Sequence, residues 1–580
     1  GIFFVASQIE LEEADRKNME GFRRFVKEKL NPLLINEDTY IQASQLINRL
    51  LNALSPENKI LSFDFIIGSY IPDYFVRFLP RYKNDEYRDM KILVSSWSSI
   101  IGKEGSCFFI LEGYNLDNME GTVKIIFKQH PFTDFVYLHS LLSDETILWL
   151  SNLKISEANT NQFVTTYETL ITIEPDYLID ATAVGECFQY RGANSKIFLL
   201  SKIIDDLSGS VALKGSMIGY YLDEMIRSEE DRDEQIFLKA QKENALKAAQ
   251  FGREEMQNVK KSVETEHLPN IRKLVTDEKQ YKLWIEPTFF SNKSGLQGRI
   301  DLLSVGEKTN SQNVLELKSG SSSNPNNLVA WPNHQMQVIC YDMMLESTYG
   351  DGRNGTNSVF YSKCSILPRR NIVSENREKQ QTLKIRNEIM AIINKIAKND
   401  FSPLEIIKQH GIEHLPTFSK ATLEEFQKYY IPGTISTHYY NEMFAFTIRE
   451  LINAKIGDYS SEDQENKQNG LAALWLDNLF IKERDFEIIY EMEVDIIDEV
   501  NGYVKLIFNK DLPHSFRKSD LVILYPKSEN DYNALNQHIL KGSIKELHNN
   551  SLIVSLFNKQ TDYSFINQYK HWAIEPDIFE

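Results

Sequence analysis

The sequence predicts a mixed α/β protein that is built from several domains. Its 580 residues exceed what one hydrophobic core organises, and the usual domain size of about 150 residues predicts roughly three to four units. Hydrophobic residues make up 42% of the chain and charged residues 25%, which is the composition of ordinary globular protein. Segments with helical periodicity alternate with strand-like segments, and this alternation predicts the α/β class.

Composition and periodicity divide the chain into three parts. Residues 1–175 are expected to form an N-terminal α+β domain of unknown function, with a candidate OB-like β part. Residues 176–430 form the second part, with two helices over 176–228, Asp180 as the N-cap of the first, and one long helix from about 229 to 273. Residues 431–580 begin with a helical stalk, become β-rich after a polar linker, and include a hairpin that turns at 549–550. The N-terminal part contains helical patterns at about 7–33 and 40–54, and strand-like runs at 59–68, 121–129, 146–155 and 162–175.

Charge and cysteine content limit the function classes. A net charge of −18 argues against a protein whose whole surface attracts nucleic acid, although it leaves room for a local basic groove. The 4 cysteines form no CxxC pair, which fits a reducing cytoplasm and argues against a disulfide framework or a zinc ribbon. No apolar run reaches the roughly 20 residues that span a bilayer, and the start lacks the pattern of a secretory signal. We therefore expect a cytoplasmic protein without a membrane partner.

Three apolar runs in the second part each contain one acidic residue. Glu316 and Lys318 are two positions apart, so in a strand they project from the same face. Carboxylates that meet at strand ends form an oxygen-rich site, which suits Mg²⁺ or Mn²⁺. A lysine beside such a metal can hold and help to deprotonate an attacking water. The alternative is a solvated sheet face, which the interruption of apolar runs makes less attractive. The acidic residues are Glu286 in 281–290, Asp301 in 298–305 and Glu316 in 313–320.

A helical pattern at 331–348 adds polar residues to this constellation. His334, Gln337 and Tyr341 follow one another at spacings of three and four, so they form one polar stripe on a helix. An ordinary amphipathic helix would show a similar pattern. Another helix is predicted at about 375–398, where basic residues are concentrated.

The ordered set of motifs resembles the PD-(D/E)XK nucleases of the RecB type. "GLQGRID", "LELKSG" and "HQMQVICY" are most similar to the nuclease part of the eukaryotic nuclease–helicase family that trims Okazaki-fragment flaps. The resemblance covers roughly residues 172–580 and is strongest over 284–342. It implies a restriction-endonuclease-like core in 176–430, followed by a helix and a small β-barrel in 431–580.

The resemblance also implies roles for individual residues. A divalent cation, Mg²⁺ or Mn²⁺, would be held by Glu286, Asp301, Glu316 and the carbonyl of Leu317. Catalysis would depend on Asp301, Glu316, Lys318, Gln337 and Tyr341. Contacts with DNA are expected from His334 and from a basic run, for which a solvated helix face is the alternative; the basic residues are Arg369, Arg370, Lys384 and Arg386.

Three departures from the family pattern modify this interpretation. Gly219 stands where many RecB-type nucleases place a metal-binding histidine, so one ligand would be missing or replaced by water. Cys187 stands where the first cysteine of an iron–sulfur cluster would be, but residues 400–430 contain no cysteine. We therefore predict no cluster and a small buried residue at Cys187. The chain contains no GxxxxGK[ST] loop, so a helicase motor would belong to another part of the polypeptide or act in trans.

The predicted function is metal-dependent hydrolysis of DNA phosphodiesters. The substrate is expected to be single-stranded or flapped DNA, in replication or repair and together with a helicase. Two alternatives remain open from the sequence. One is a catalytically decayed nuclease fold that serves as a DNA-binding or scaffolding module, and the other is a restriction-type endonuclease with sequence specificity.

Overall fold

A computed structural model describes residues 87–578 with short gaps. The helical patterns at 7–33 and 40–54 and the run at 59–68 lie outside the described residues. The gaps are 104–106, 118–120, 131–132, 157–158, 190–191, 204–208, 228–232, 307–310, 323–328, 351–352, 414, 416, 458–469, 510, 528–531 and 559.

The N-terminal described part is a small closed barrel. The strand order is β1-β2-β3-β6-β5, and β5 also pairs with β1, which closes the barrel. Met90, Ile92 and Val94 alternate with more exposed neighbours, as expected for a strand with one buried face. The strands predicted at 121–129 and 146–155 are confirmed. The strands are β1 Tyr87–Trp97, β2 Phe108–Asn115, β3 Thr122–His130, β4 Thr133–Asp134, β5 Ile147–Ser156, β6 Asn159–Val164 and β7 Leu170–Ile173.

A series of helices follows the barrel. Between 176 and 228 the structure has three helices where the sequence predicted two. The prediction of a single long helix from about 229 to 273 was wrong. Gly252 adopts an extended conformation, and a new helix with Pro269 in its first turn begins at Leu268, after the π turn Val263–His267. The segment is therefore broken into pieces. After β8 Ile179–Asp180 the helices are α1 Ala181–Glu186, α2 Lys196–Ile203, α3 Ser210–Arg227, α4 Asp233–Glu243, α5 Ala245–Ala248, α6 Arg253–Ser262 and α7 Leu268–Glu278.

A five-stranded sheet, called the central sheet below, has the strand order β15-β14-β13-β12-β9. Val314 and Leu315 are both buried but belong to two different hydrophobic clusters, because neighbouring residues of a strand point to opposite faces. One cluster includes α8, and the other includes α3, α6 and α7. The elements are β9 Lys282–Ile285, β12 Leu302–Val305, β13 Gln312–Lys318, α8 Pro332–Tyr349, β14 Asn357–Tyr361 and β15 Arg369–Ile372.

Two of the three strands expected around the acidic residues are interrupted. The run at 281–290 breaks at Glu286–Pro287, and the run at 298–305 breaks at Ile300–Asp301. Their outer halves, β10 Thr288–Ser291 and β11 Leu296–Arg299, form a hairpin that joins a different sheet through β19 and β8. The prediction of continuous strands was wrong, because the chain crosses here from one sheet to another.

The C-terminal part contains helices and a six-stranded barrel, ordered β18-β21-β16-β17-β20-β19 and closed by pairing of β19 with β18. His548 pairs with Ser551, which confirms the turn at 549–550. The predicted helices at 331–348 and 375–398 are also confirmed as α8 and α9. The elements are α9 Asn376–Ala397, α10 Ser402–His410, α11 Thr417–Tyr429, α12 Ile435–Ile456, α13 Ala473–Leu476, α14 Leu479–Arg484, β16 Ile489–Asp498, β17 Tyr503–Ile507, β18 Leu521–Pro526, β19 His538–His548, β20 Ser551–Leu556 and β21 Trp572–Pro576.

The chain is therefore a mixed α/β protein with several sheets and a six-stranded barrel. Among the residues that the structure describes, every helix is too short or too polar to cross a bilayer.

Candidate metal and catalytic site

The three predicted acidic residues occupy neighbouring positions in the central sheet. Ile285, Leu302 and Leu315 are paired across β9, β12 and β13. Glu286 follows the first of these residues, Asp301 precedes the second and Glu316 follows the third. The strand pairing therefore brings together carboxylates that are separated by 30 residues of sequence.

Glu286 lies in a strained turn. Its φ of 50° falls in the left-handed region, which a residue with a Cβ seldom adopts. The next residue is Pro287, and the Glu286 N–H donates to the carbonyl of Asp301 over 3.2 Å. Backbone strain of this kind is common at functional sites, where the surrounding structure holds it in place. The turn follows directly after β9, which ends at Ile285.

Asp301 is fixed by the backbone of the neighbouring strand. Its Oδ2 accepts a hydrogen bond of 2.6 Å from the N–H of Leu317. Burial raises the pKa of Asp301 well above its ordinary value, and the negative charge of Glu316 raises it further. The carboxyl of Asp301 thus has a fixed position, and the nearby charge of Glu316 disfavours its ionisation. A bound cation would offset the repulsion between the two carboxylates.

Lys318 connects β13 with helix α8. Its Nζ donates to Glu316 Oε1 over 2.8 Å and to Gln337 Oε1 over 2.9 Å. The prediction that Glu316 and Lys318 share one face is confirmed by this contact. Burial lowers the pKa of Lys318, but the charges of Glu316 and Asp301 outweigh burial and raise the pKa above its ordinary value. Lys318 is therefore an ammonium ion that donates hydrogen bonds at neutral pH.

The polar stripe of α8 faces this site. Gln337 Nε2 donates to Tyr341 Oη over 2.8 Å and to Thr182 Oγ1, on α1, over 3.0 Å. Burial raises the pKa of Tyr341 well above its ordinary value, so its hydroxyl stays protonated. The predicted spacing on one helix face is confirmed for Gln337 and Tyr341.

Two glycines allow α8 to approach this closely. A Cβ on Gly298 would lie 2.9 Å from the Tyr341 ring, and a Cβ on Gly185 would lie 3.0 Å from Gln337 Cβ. Cys187 follows α1 and is fully buried in the adjacent core, as predicted. Close helix packing, rather than loop geometry, thus sets the positions of the polar residues.

The donor set fits a divalent cation at Glu316 and Asp301. Glu316 is 3% exposed, and its Oε2 has no hydrogen-bond partner among the described residues. A buried carboxylate oxygen without a partner is costly, and a hard cation prefers such an oxygen. Glu286 has a different partner, because its Oε2 lies 3.4 Å from Arg299 Nη1. Within the described part of the chain, no three acidic, cysteine or histidine side chains are already grouped around a common metal position.

Asp223 is an acidic neighbour that the sequence reasoning missed. It lies on α3, one helical turn after Gly219, near enough to Glu286 for the charge of Glu286 to act on it. Burial, and next the charge of Glu286, raise the pKa of Asp223 to about 8. A Cβ on Gly219 would meet nothing within 4 Å, so the expected histidine position is open space. The i, i+4 spacing from Gly219 was the signal that could have identified Asp223.

His334 lies one turn before Gln337, at the start of α8. Its Nδ1 is 2.9 Å from the hydroxyl of Tyr361, at the end of β14. Burial, and next the charge of Lys318, lower the pKa of His334 to about 3, so the imidazole is neutral. His334 therefore lies on the helix that carries Gln337 and Tyr341, as the sequence predicted. Its contact with DNA stays a prediction. The role of the Leu317 carbonyl as a metal ligand also stays a prediction.

Two of the four basic residues that were predicted to contact DNA are buried inside the protein. Arg386 is fully buried and donates to the carbonyls of Ile173, Glu174, Tyr177 and Gly295. Its assignment to DNA binding was wrong, because its donors are occupied inside the protein.

Arg370 is also fully buried, which makes the same assignment wrong for it in this structure. Arg369 is less buried but forms an ion pair with Glu278, and Lys384 lies over the ring of Tyr137 at 5.0 Å. These interactions stabilise the packing of β15 and α9, and contact of Arg369 and Lys384 with DNA stays a prediction.

Comparison of the chain with protein-family models found no match, and comparison with curated proteins found none either. The functional interpretation therefore depends on the motifs and on the geometry of the site.

Proposed function

We propose that the protein is a PD-(D/E)XK nuclease of the RecB type, with a restriction-endonuclease-like core around the central sheet. It would hydrolyse phosphodiesters of single-stranded or flapped DNA in the presence of Mg²⁺ or Mn²⁺. The observation that carries this proposal is the contact of Lys318 with both Glu316 and Gln337, beside the fixed carboxyl of Asp301. An acid–lysine pair joined to a helix glutamine is what the motif resemblance implies for such a site.

Each residue has a distinct task in this proposal. Asp301 and Glu316 would hold the cation, which when bound supplies charge neutralisation at the phosphodiester. The Lys318 ammonium donates to the attacking water or to a phosphate oxygen, because its raised pKa keeps it charged at neutral pH. Gln337 holds Lys318 in place, and Tyr341 holds Gln337. The preference for flapped DNA and the association with a helicase are supported by the motif resemblance alone.

The test is cleavage of end-labelled single-stranded DNA with Mg²⁺ or Mn²⁺. We expect Asp301→Ala, Glu316→Ala and Lys318→Ala each to lower the rate by about a hundredfold or more, since each removes a charge that acts on the reacting phosphate. Lys505→Ala is the matched control, because Lys505 pairs with Asp495 on the C-terminal barrel. Cleavage that survives all three site substitutions would refute the proposal. Discrete bands from long duplex DNA would instead favour the restriction-type alternative.

Asp223 is expected to contribute to metal affinity. Because its pKa of about 8 keeps most of the carboxyl protonated at pH 7, a cation that uses Asp223 must displace a proton. Mn²⁺ affinity should therefore rise as the pH is raised through about 8. Asp223→Asn should remove this part of the pH dependence and weaken Mn²⁺ binding by about tenfold.

Titration calorimetry at several pH values measures this effect, with Asp233→Asn as the control because Asp233 lies on α4 and pairs with Arg272. An unchanged pH dependence in Asp223→Asn would show that Asp223 has no part in the metal site. Absence of Mn²⁺ uptake by the unmodified protein would favour the decayed, scaffolding alternative.

A further inference from the structure

The hydroxyl of Tyr361 is held between two partners at the edge of the site. It accepts a hydrogen bond of 2.9 Å from the N–H of Trp331, and it lies 2.9 Å from His334 Nδ1. Tyr361 is fully buried and is the strand partner of Lys318 in the parallel pair β13–β14. Its position is therefore fixed by the sheet, and its hydroxyl has access to few other groups.

These contacts determine where the hydroxyl proton goes. The N–H of Trp331 can only donate, so the Tyr361 oxygen accepts from it. The Tyr361 proton then needs an acceptor, and the structure describes His334 Nδ1 as the one group within reach. If Nδ1 carried the imidazole proton instead, the Tyr361 proton would be buried without an acceptor, which is costly. Tyr361 therefore donates to Nδ1, and the proton of the neutral imidazole belongs to Nε2.

The Nε2–H of His334 is left free to act as a donor. Among the described residues Nε2 has no hydrogen-bond partner, and the side chain is only partly buried. His334 contacts Tyr361, which is the strand partner of Lys318, and the charge of Lys318 acts on the imidazole. A neutral donor beside the lysine can bind an anionic oxygen without adding a second positive charge to the site.

We infer that Tyr361 fixes His334 in the tautomer that donates from Nε2, and that this N–H binds a non-bridging phosphate oxygen of the DNA strand. The inference rests on the proposed nuclease function, which supplies the phosphate. Tyr361 is a positioning residue, since it touches the DNA only through His334. The contact needs no protonated histidine, so it operates equally at pH 6 and at pH 8.

We call the chain of contacts from Tyr361 through His334 to the phosphate the relay. Binding of fluorescently labelled single-stranded DNA in EDTA tests the relay without cleavage. Tyr361→Phe and His334→Ala are each expected to weaken binding by about tenfold, and the double variant should bind no more weakly than His334→Ala. His334→Gln should recover most of what His334→Ala loses, because the glutamine amide supplies a donor near the position of Nε2. Tyr361→Phe should have little further effect in the His334→Gln protein, since an amide needs no tautomer control.

The tautomer itself is measured by nitrogen NMR of protein labelled in its histidines, with the His334 signals assigned by their loss in His334→Gln. The expected spectrum has the proton on Nε2 in the unmodified protein and a mixture in Tyr361→Phe. A proton on Nδ1 in the unmodified protein overturns the inference. The inference is also overturned if Tyr361→Phe weakens DNA binding as much in the His334→Ala protein as in the unmodified protein. Tyr361 would then affect binding through the stability of the fold and not through His334.

The outcomes for the two proposals are separable. If DNA binding shows the expected coupling but the protein never cleaves DNA with Mg²⁺ or Mn²⁺, the nuclease function fails and the relay stands. If the protein cleaves DNA but binding is insensitive to Tyr361→Phe, the relay fails and the nuclease function stands. If the unmodified protein does not bind DNA, the relay fails, and if it also does not cleave DNA with Mg²⁺ or Mn²⁺, both are refuted.

Discussion

Asp301→Asn is expected to abolish metal-dependent cleavage and, at the same time, to stabilise the metal-free protein. Asparagine keeps an oxygen that can accept from the Leu317 N–H but carries no charge. Burial and the neighbouring Glu316 raise the pKa of Asp301 in the folded protein above its value in the unfolded chain. A charged Asp301 therefore lowers the free energy of unfolding of the metal-free protein, and the substitution removes that cost.

The sign of this effect can be checked against pH. An acid with a raised folded pKa costs nothing below its unfolded pKa of about 4, because it is then protonated in both states. Its cost grows as the pH rises toward the folded pKa. The stability advantage of Asp301→Asn should therefore be present at pH 7 and shrink as the pH is lowered toward 4.

Calorimetric melting in EDTA measures the stability, and cleavage of labelled single-stranded DNA measures the activity. Added Mg²⁺ should raise the melting temperature of the unmodified protein more than that of Asp301→Asn, since the variant has lost a ligand. Asp498→Asn is the control, because Asp498 lies in an exposed turn of the C-terminal barrel and bonds to Asn501. A variant that retains cleavage, or that is less stable than the unmodified protein at neutral pH, contradicts this prediction.

Arg386→Met should destabilise the protein more than any other single change in the basic run. The guanidinium is fully buried and donates to four carbonyls that join the end of the N-terminal barrel to the β10–β11 turn. Gly295 adopts a φ of 61° in that turn, and a Cβ there would collide with the guanidinium. Removal of the guanidinium deletes four buried hydrogen bonds to these carbonyls, which costs about 3–5 kcal/mol.

Thermal unfolding and soluble yield provide the measurement. A loss of this size should lower the melting temperature by roughly 10 °C or more for the unit that contains α9. Lys384→Ala is the matched control on the same helix, because Lys384 is partly exposed and its contact with the Tyr137 ring is a weak one. Normal stability of Arg386→Met together with weakened DNA binding would restore the phosphate-binding interpretation that burial argues against.

Local sequence patterns correctly predicted the contacts between site residues that lie on the same strand or the same helix. The two-residue spacing of Glu316 and Lys318 determined their common face, and the three- and four-residue spacings on α8 determined the Gln337–Tyr341 contact. The same patterns failed at Glu286 and Asp301, where continuous strands were expected. A strand period does not reveal that a chain changes sheets at a strained turn, because that choice depends on which distant strand is available to pair.

The burial of individual basic side chains, like the change of sheet at Glu286, could not be predicted from the sequence. Arg386 and Lys384 are two residues apart on one helix, yet the first is fully buried and the second is partly exposed. A run of basic residues looks the same in sequence whether it covers a surface or anchors a distant turn. The partners of Arg386 lie about 90 to 210 residues away in the chain, so only packing of the tertiary structure brings them together.

The sequence by itself determined the α/β class, the order of the acidic residues and lysine, and the helix that faces them, because these depend on periodicities of two and of 3.6 residues. The tertiary structure decided which of these groups meet. It placed Asp223 beside Glu286, buried Arg370 and Arg386, and brought the hydroxyl of Tyr361 to His334. These pairings join segments that are remote in the chain, and they follow from the way helices and sheets share a core, which no local pattern encodes.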